Sequence, residues 1–158
     1  RGDRETIANF RRVRQVLSPT NVTNDMVAAL EPMKERTQEN AKRLRNYPGK
    51  HPGWPQPKGQ PRGGHLDEGV VVVKRRSTSA RAQEVWLTFA KRSRKIAHLV
   101  EFGTAPHYQP NRQAMHPGAA PQPFARPAFE ATKYDVVENF GERTWRRIAG
   151  AILPVRTK

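Results

Sequence analysis

The stretch Val70-Val-Val-Val-Lys-Arg-Arg-Ser-Thr-Ser-Ala-Arg-Ala-Gln-Glu-Val-Trp-Leu-Thr-Phe-Ala-Lys-Arg-Ser-Arg-Lys-Ile-Ala-His-Leu-Val-Glu-Phe102 decides the fold class. Four consecutive β-branched valines make a strand, and Lys74-Arg-Arg76 carries its end into water. Glu84 to Lys91 reads as a second strand. Val85, Leu87 and Phe89 fall on one face, and Trp86, Thr88 and Ala90 on the other, with Trp86 expected toward the core. The polar segment Ser77–Ala82 joins the two strands, so an antiparallel hairpin over 69–76 and 84–91 is the economical reading. The period then changes to that of a helix. Ser93 is the expected cap, Ile96, Ala97, Leu99 and Val100 the buried stripe, and Gly103 the stop.

Working outward, both flanks are helical. After Asp3, an expected N-cap, Ile7, Phe10, Val13 or Arg14, and Leu17 make a short stripe that should end at Ser18-Pro19. Met26, Leu30, Met33, Thr37, Ala41 and Leu44 continue at spacings of three and four. Thr23 or Asn24 is the candidate cap, and Pro32 predicts a kink or a late start. Lys34, Glu35, Glu39, Lys42 and Arg43 form the solvated side. Pro127 sits in the first turn of a long helix over about 126–152, where its missing donor costs nothing. Phe129, Val136, Val137, Phe140, Ile148 and Ile152 supply that helix's apolar residues, and Leu153-Pro154-Val155 reads as a short exit. Eleven of the 14 prolines lie in 48–61 and 106–127, which marks two long loops. The expectation is one domain, 1–158, of α+β class: N-terminal helices in 1–46, a Pro/Gly-rich loop in 47–65, and an α+β core in 66–158 holding a Pro-rich loop at 105–123. A small antiparallel sheet should pack against the long C-terminal helix and the N-terminal helices.

Composition narrows the function classes. Twenty-nine Lys and Arg against 14 Asp and Glu give a net charge of +15, and mean hydropathy is −0.85. The excess is spread evenly, at +5 over 1–50, +6 over 51–104 and +4 over 105–158. A dedicated basic arm would be more segregated. The absence of cysteine excludes thiolate chemistry of every kind. No apolar run reaches the roughly 20 residues of a membrane span. His98, His107 and His116 recur nine apart, with His51 and His65 elsewhere. That spacing favours ordinary loop histidines over a metal site on one element. Glu101 has no partner acid, and its expected role is pairing with a nearby Arg or Lys. Ser77, Ser79, Ser93 and Thr88 lack a nucleophile-elbow context, and Gly63-Gly64 is too short for a phosphate cradle. Arg1-Gly2-Asp3 reads as helix capping. No catalytic residue, metal ligand or cofactor follows from the sequence, and the chain is read as no enzyme. The residues best placed to meet a partner are Trp54, Arg75, Arg76, Arg94, Trp145, Arg146 and Arg147. Arg11, Arg12 and Arg14 add to a surface that could meet nucleic acid, with tryptophans available for stacking.

The ordered combination Val100-Glu-Phe-Gly-Thr104, a loop, His116-Pro-Gly118, Pro121-Gln-Pro-Phe-Ala-Arg-Pro-Ala128 and a long helix resembles the gene-product-ten-like family of long-tailed bacteriophages. These are neck or tail-completion proteins, similar in role to the minor tail protein Z of phage lambda. The resemblance covers about a third of the chain. It marks Glu101, Phe102, Gly103, Thr104, His116, Pro117, Gly118, Pro123, Phe124 and Pro127 as structural signature residues. It implies a structural virion component without catalysis, in the host cytoplasm during assembly and in the head–tail neck of the finished particle. It also implies a ring of six or twelve copies that joins the tail to the head connector, closed by heterologous contacts. Its partners would be neighbouring neck, connector, tail-terminator and tail-tube proteins, with DNA in the lumen as a further contact and no membrane. On that reading, reversing Arg146 and Arg147 should disturb assembly and leave the isolated fold intact. The alternative is a basic nucleic-acid-binding protein contacting DNA directly.

Overall fold

The computed structural model describes residues 2–44, 66–75 and 82–152. Their order is α1 (Gly2–Val16), α2 (Pro19–Ala29), α3 (Glu31–Lys42), β1 (Val70–Arg75), β2 (Glu84–Phe89), α4 (Lys91–Phe102), β3 (His107–Gln109), β4 (Ala114–His116) and α5 (Ala125–Ile152). The class is α+β, with two small antiparallel two-stranded sheets, β1–β2 and β3–β4, and a long C-terminal helix. No helix among the described residues is long and apolar enough to cross a membrane. The expected loop segment 47–65, the strand-joining turn and the exit at 153–155 lie outside the described residues.

The chain gathers into two compact units, the first Arg1–Pro32, Val72–Trp86 and Tyr134–Lys158, the second Met33–Val71 and Leu87–Lys133. In the first unit, α1 has acids in its first turn and Arg14 in its last, which complements the helix dipole. Asp3 lies inside the helix rather than capping it. Ser18 does two jobs at once. The chain leaves α1 there, and the Ser18 hydroxyl caps α2 through Asn21 N–H, with Pro19 at the first helical position. The second helix therefore begins earlier than the Thr23 or Asn24 reading. Thr23 instead donates to Pro19 O at 2.7 Å and lies 3.0 Å from Gln83 Oε1. Pro32 produces a break rather than a kink: α2 ends at Ala29, and α3 restarts with Pro32 in its first turn.

In the second unit a core of Ala41, Leu66, Ala97 and Phe124 is packed by Leu44, Phe89, Ile96, Val100 and Ala125. Phe89 meets Phe124 edge to face, with ring centroids 5.7 Å apart. Three expectations shift here. The cap of α4 is Ala90, without a side-chain bond, while Ser93 is buried within the helix. Leu99 is exposed, because the buried side of α4 is centred on Ala97 and Ser93, four residues apart. Phe129 is half exposed, and the fully buried positions of α5 are the small residues Ala128 and Thr132. Within 105–123 the chain forms the β3–β4 hairpin, in register His107 to His116, Tyr108 to Met115 and Gln109 to Ala114. A 3-10 turn, Pro110–Arg112, closes it, with Gln113 left-handed at its end.

Candidate functional site

The signature residues come together in one clasp that fastens the C-terminus of α4 to the N-terminus of α5. Helix α5 opens with unsatisfied backbone donors. Glu101, in the last turn of α4, takes three of these N–H groups: Phe124 and Ala125 on one carboxylate oxygen and Arg126 on the other, each at 2.9 Å. Pro127 has no donor to satisfy. A carboxylate at a helix N-terminus also meets the positive end of the dipole. The partner of Glu101 is thus a helix end rather than the Arg or Lys expected from the sequence. Asn40 Nδ2 donates to Phe124 O at 3.0 Å. Phe124 is therefore fixed by its ring in the core and by both backbone groups.

Two glycines permit the close approach. Gly103 has φ +72°, and a Cβ there would stand 2.5 Å from Ala119 O and 2.8 Å from Pro121 N. Gly118 has φ +84° and presses on Thr104 O and the Ala105–Pro106 peptide. Only glycine adopts that conformation without strain and leaves that room. Between them Thr104 and Ala119 exchange both backbone bonds, at 2.9 and 3.0 Å. Gln122 N–H donates to Val100 O at 2.8 Å. His116 Nδ1 accepts from Gly118 N–H at 3.0 Å, and its ring stacks on His107 at 5.0 Å. Pro117, Pro123 and Pro127 are exposed along the same path.

An apolar groove of about 570 Å³ runs beside the clasp. Met33, Leu87, Phe89, Ala97, Phe102 and Phe124 supply its walls, and Arg94, His98, Arg126 and Glu130 supply polar groups. Phe102 is 66% exposed, so the last side chain of α4 is presented rather than buried. Both Glu101 oxygens already accept backbone bonds, so they are occupied in holding the fold. The groove suits an inserted apolar side chain. Among the described residues, no group of three or more His, Asp or Glu gathers as a metal site would require.

The candidate partner contacts separate. Trp54 and Arg76 lie outside the described residues. Arg94 is exposed at the groove, its guanidinium 3.4 Å from Phe89 O. Arg75 lies over the Trp86 ring at 4.4 Å, a cation–π pair on the surface. Trp86 is half exposed, contrary to its expected burial, with the Arg75 guanidinium lying over its ring. In the first unit Trp145 is exposed, and Arg146 pairs in water with Glu142. Arg147 departs from the expectation. Its Nε and Nη2 donate to the two oxygens of Asp25 at 2.9 and 2.6 Å. The Asp25 side chain is 8% exposed. The Arg147 hydrogen bond, opposed by burial and helped by the charges of Arg147 and Arg143, holds the Asp25 carboxyl below its usual range. The same bond raises Arg147. Reversing Arg147 would therefore strike the isolated fold. Sequence reasoning missed Asp25, although an acid spaced three from Val22 and four from Ala29 on an inward face signals a buried partner. The chain matches no family model, no curated protein and no solved structure.

Proposed function

We propose that this chain is a structural protein of the bacteriophage head–tail junction, a neck or tail-completion protein working as a multi-copy ring that joins the tail to the head connector. The observation that carries the reading is the clasp. Residues between Val100 and Ala128 that resemble the gene-product-ten-like family meet in space, and four of them have a physical task there: Glu101 caps α5, Gly103 and Gly118 permit the crossing, and Phe124 anchors it. The side chains left facing outward suit assembly. Phe102, Tyr108 and Met115 are exposed around the groove and hairpin of the second unit, and Tyr134, Val137 and Trp145 are exposed on α5. Contiguous exposed apolar groups mark surfaces that partners cover, and Tyr134, Val137 and Trp145 share one side of α5. The partners on this reading are further copies of the chain and the neighbouring connector, tail-terminator and tail-tube proteins. Single-particle imaging of the purified chain tests it: closed rings of six or twelve copies around a channel are expected, and isolated single copies would count against it.

A second reading, a DNA-binding protein, draws on the exposed Arg4, Arg11, Arg12 and Arg14 of α1 and on the Arg75–Trp86 pair. It requires duplex affinity that falls steeply and linearly in log salt. No binding at low salt removes it.

A further inference from the structure

We infer that α1 of one copy docks on the exposed stripe of α5 in the next copy, a head-to-tail contact that rests on the ring reading above. Successive residues of a helix turn by about 100°, which places Tyr134, Val137, Trp145 and Ile152 on one side of α5 and Arg147, bound to Asp25, on another. All four apolar side chains are exposed: Tyr134 77%, Val137 69%, Trp145 67% and Ile152 40%. The stripe is about 27 Å long at the helical rise. Gly141 interrupts it, and nothing lies within 4 Å of where a Cβ would stand. That is a seat for a bulky side chain.

Helix α1 is the complementary element. Its 15 residues, about 22 Å long, include no buried side chain. Ile7 and Phe10 are exposed on one side, 51% and 71%. An isolated helix of this length is marginal in water and gains its stability from a covered apolar face.

Charge selects the pairing. Arg11 and Arg14 lie beside and along the Ile7–Phe10 face, while Asp135 and Glu138 edge the α5 stripe, all four exposed; Glu142, next along that edge, is paired with Arg146. In a chain of net charge +15, that acidic edge is where another copy's basic helix can approach with attraction rather than repulsion. The surfaces differ, so the contact is heterologous and repeats until it closes.

The test is a charge swap on the full chain, read as mass against concentration by light scattering, with circular dichroism as the check on folding. R11E with R14E, or D135R with E138R, should each weaken self-association about tenfold. All four substitutions together should restore it, and mixing the two single-surface variants should restore it as well. As a second measurement, Phe10→Cys chains mixed with Gly141→Cys chains should form a heterodimer with a short thiol cross-linker, since the chain has no other cysteine. An oligomer whose mass ignores the reversals, a four-substitution variant no better than either half, or Phe10→Cys homodimers alone would overturn the α1–α5 contact and leave the ring reading standing. A wild-type chain that is monomeric throughout would overturn both.

Discussion

The clasp of the second unit and the helical surfaces of the first use similar residues to opposite ends. Around Glu101 the polar groups turn inward and hold the chain to itself: one carboxylate takes three backbone donors, and two glycines let strands of loop cross at contact distance. In the first unit the internal polar fastening is the Asp25–Arg147 pair with Thr23 and Gln83, while large apolar side chains on α1 and α5 face water. In the second unit the donors at the start of α5 are satisfied and the Phe124 ring is buried, although Phe102, Tyr108 and Met115 stay exposed. In the first unit Phe10, Val137 and Trp145 are exposed on two helices, the kind of apolar surface that partners commonly cover.

That contrast can be broken most forcefully at Phe124. Phe124→Ala should cost about 3–5 kcal/mol by emptying the core of the second unit, measured as a drop in the urea midpoint. Gly103→Ala should cost about 2–3 kcal/mol, because a Cβ meets Ala119 O in a backbone conformation that disfavours it. A change below 0.5 kcal/mol would mean that the crossing relaxes freely. Glu101→Ala should cost about 1–2 kcal/mol through lost capping at α5; Glu101→Lys should be worse than Glu101→Ala.

The Asp25–Arg147 pair in the first unit is sensitive to pH. The Asp25 carboxyl is lowered in the folded state, so its contribution is full above the unfolded value near 3.9 and is lost as pH falls through the lowered folded value. Asp25→Asn should lower the melting temperature by a few degrees at neutral pH, and wild type and variant should converge in acid. Parallel melting curves across that range would contradict the linkage. The smallest effect belongs to Arg146→Glu, whose solvent-exposed pairing with Glu142 should leave the melting temperature unchanged within error.

Legibility followed chemistry that is local in sequence. Val70–Val73 and the alternation Val85–Phe89 specify strands by β-branching and period two, and Gly103 and Pro127 punctuate helices through their own backbones. Thus the α+β class, the hairpin and the long helix could be read directly. Positions set by tertiary contact could not. Glu101 looked like one more acid among many bases until α5 brought three donors to it from 23 to 25 residues away. Asp25 and Arg147 are 122 residues apart, and neither neighbourhood announces the other. Helix α5 also misleads by composition, since its apolar side chains Phe129, Val137 and Ile152 stay exposed while Ala128 and Thr132 are buried.

If the chain forms the closed ring proposed above, the mass of the purified protein by light scattering, followed across concentration and salt, is that of a discrete species of six or twelve copies of the 18.0 kDa chain. A single copy at every concentration would contradict it.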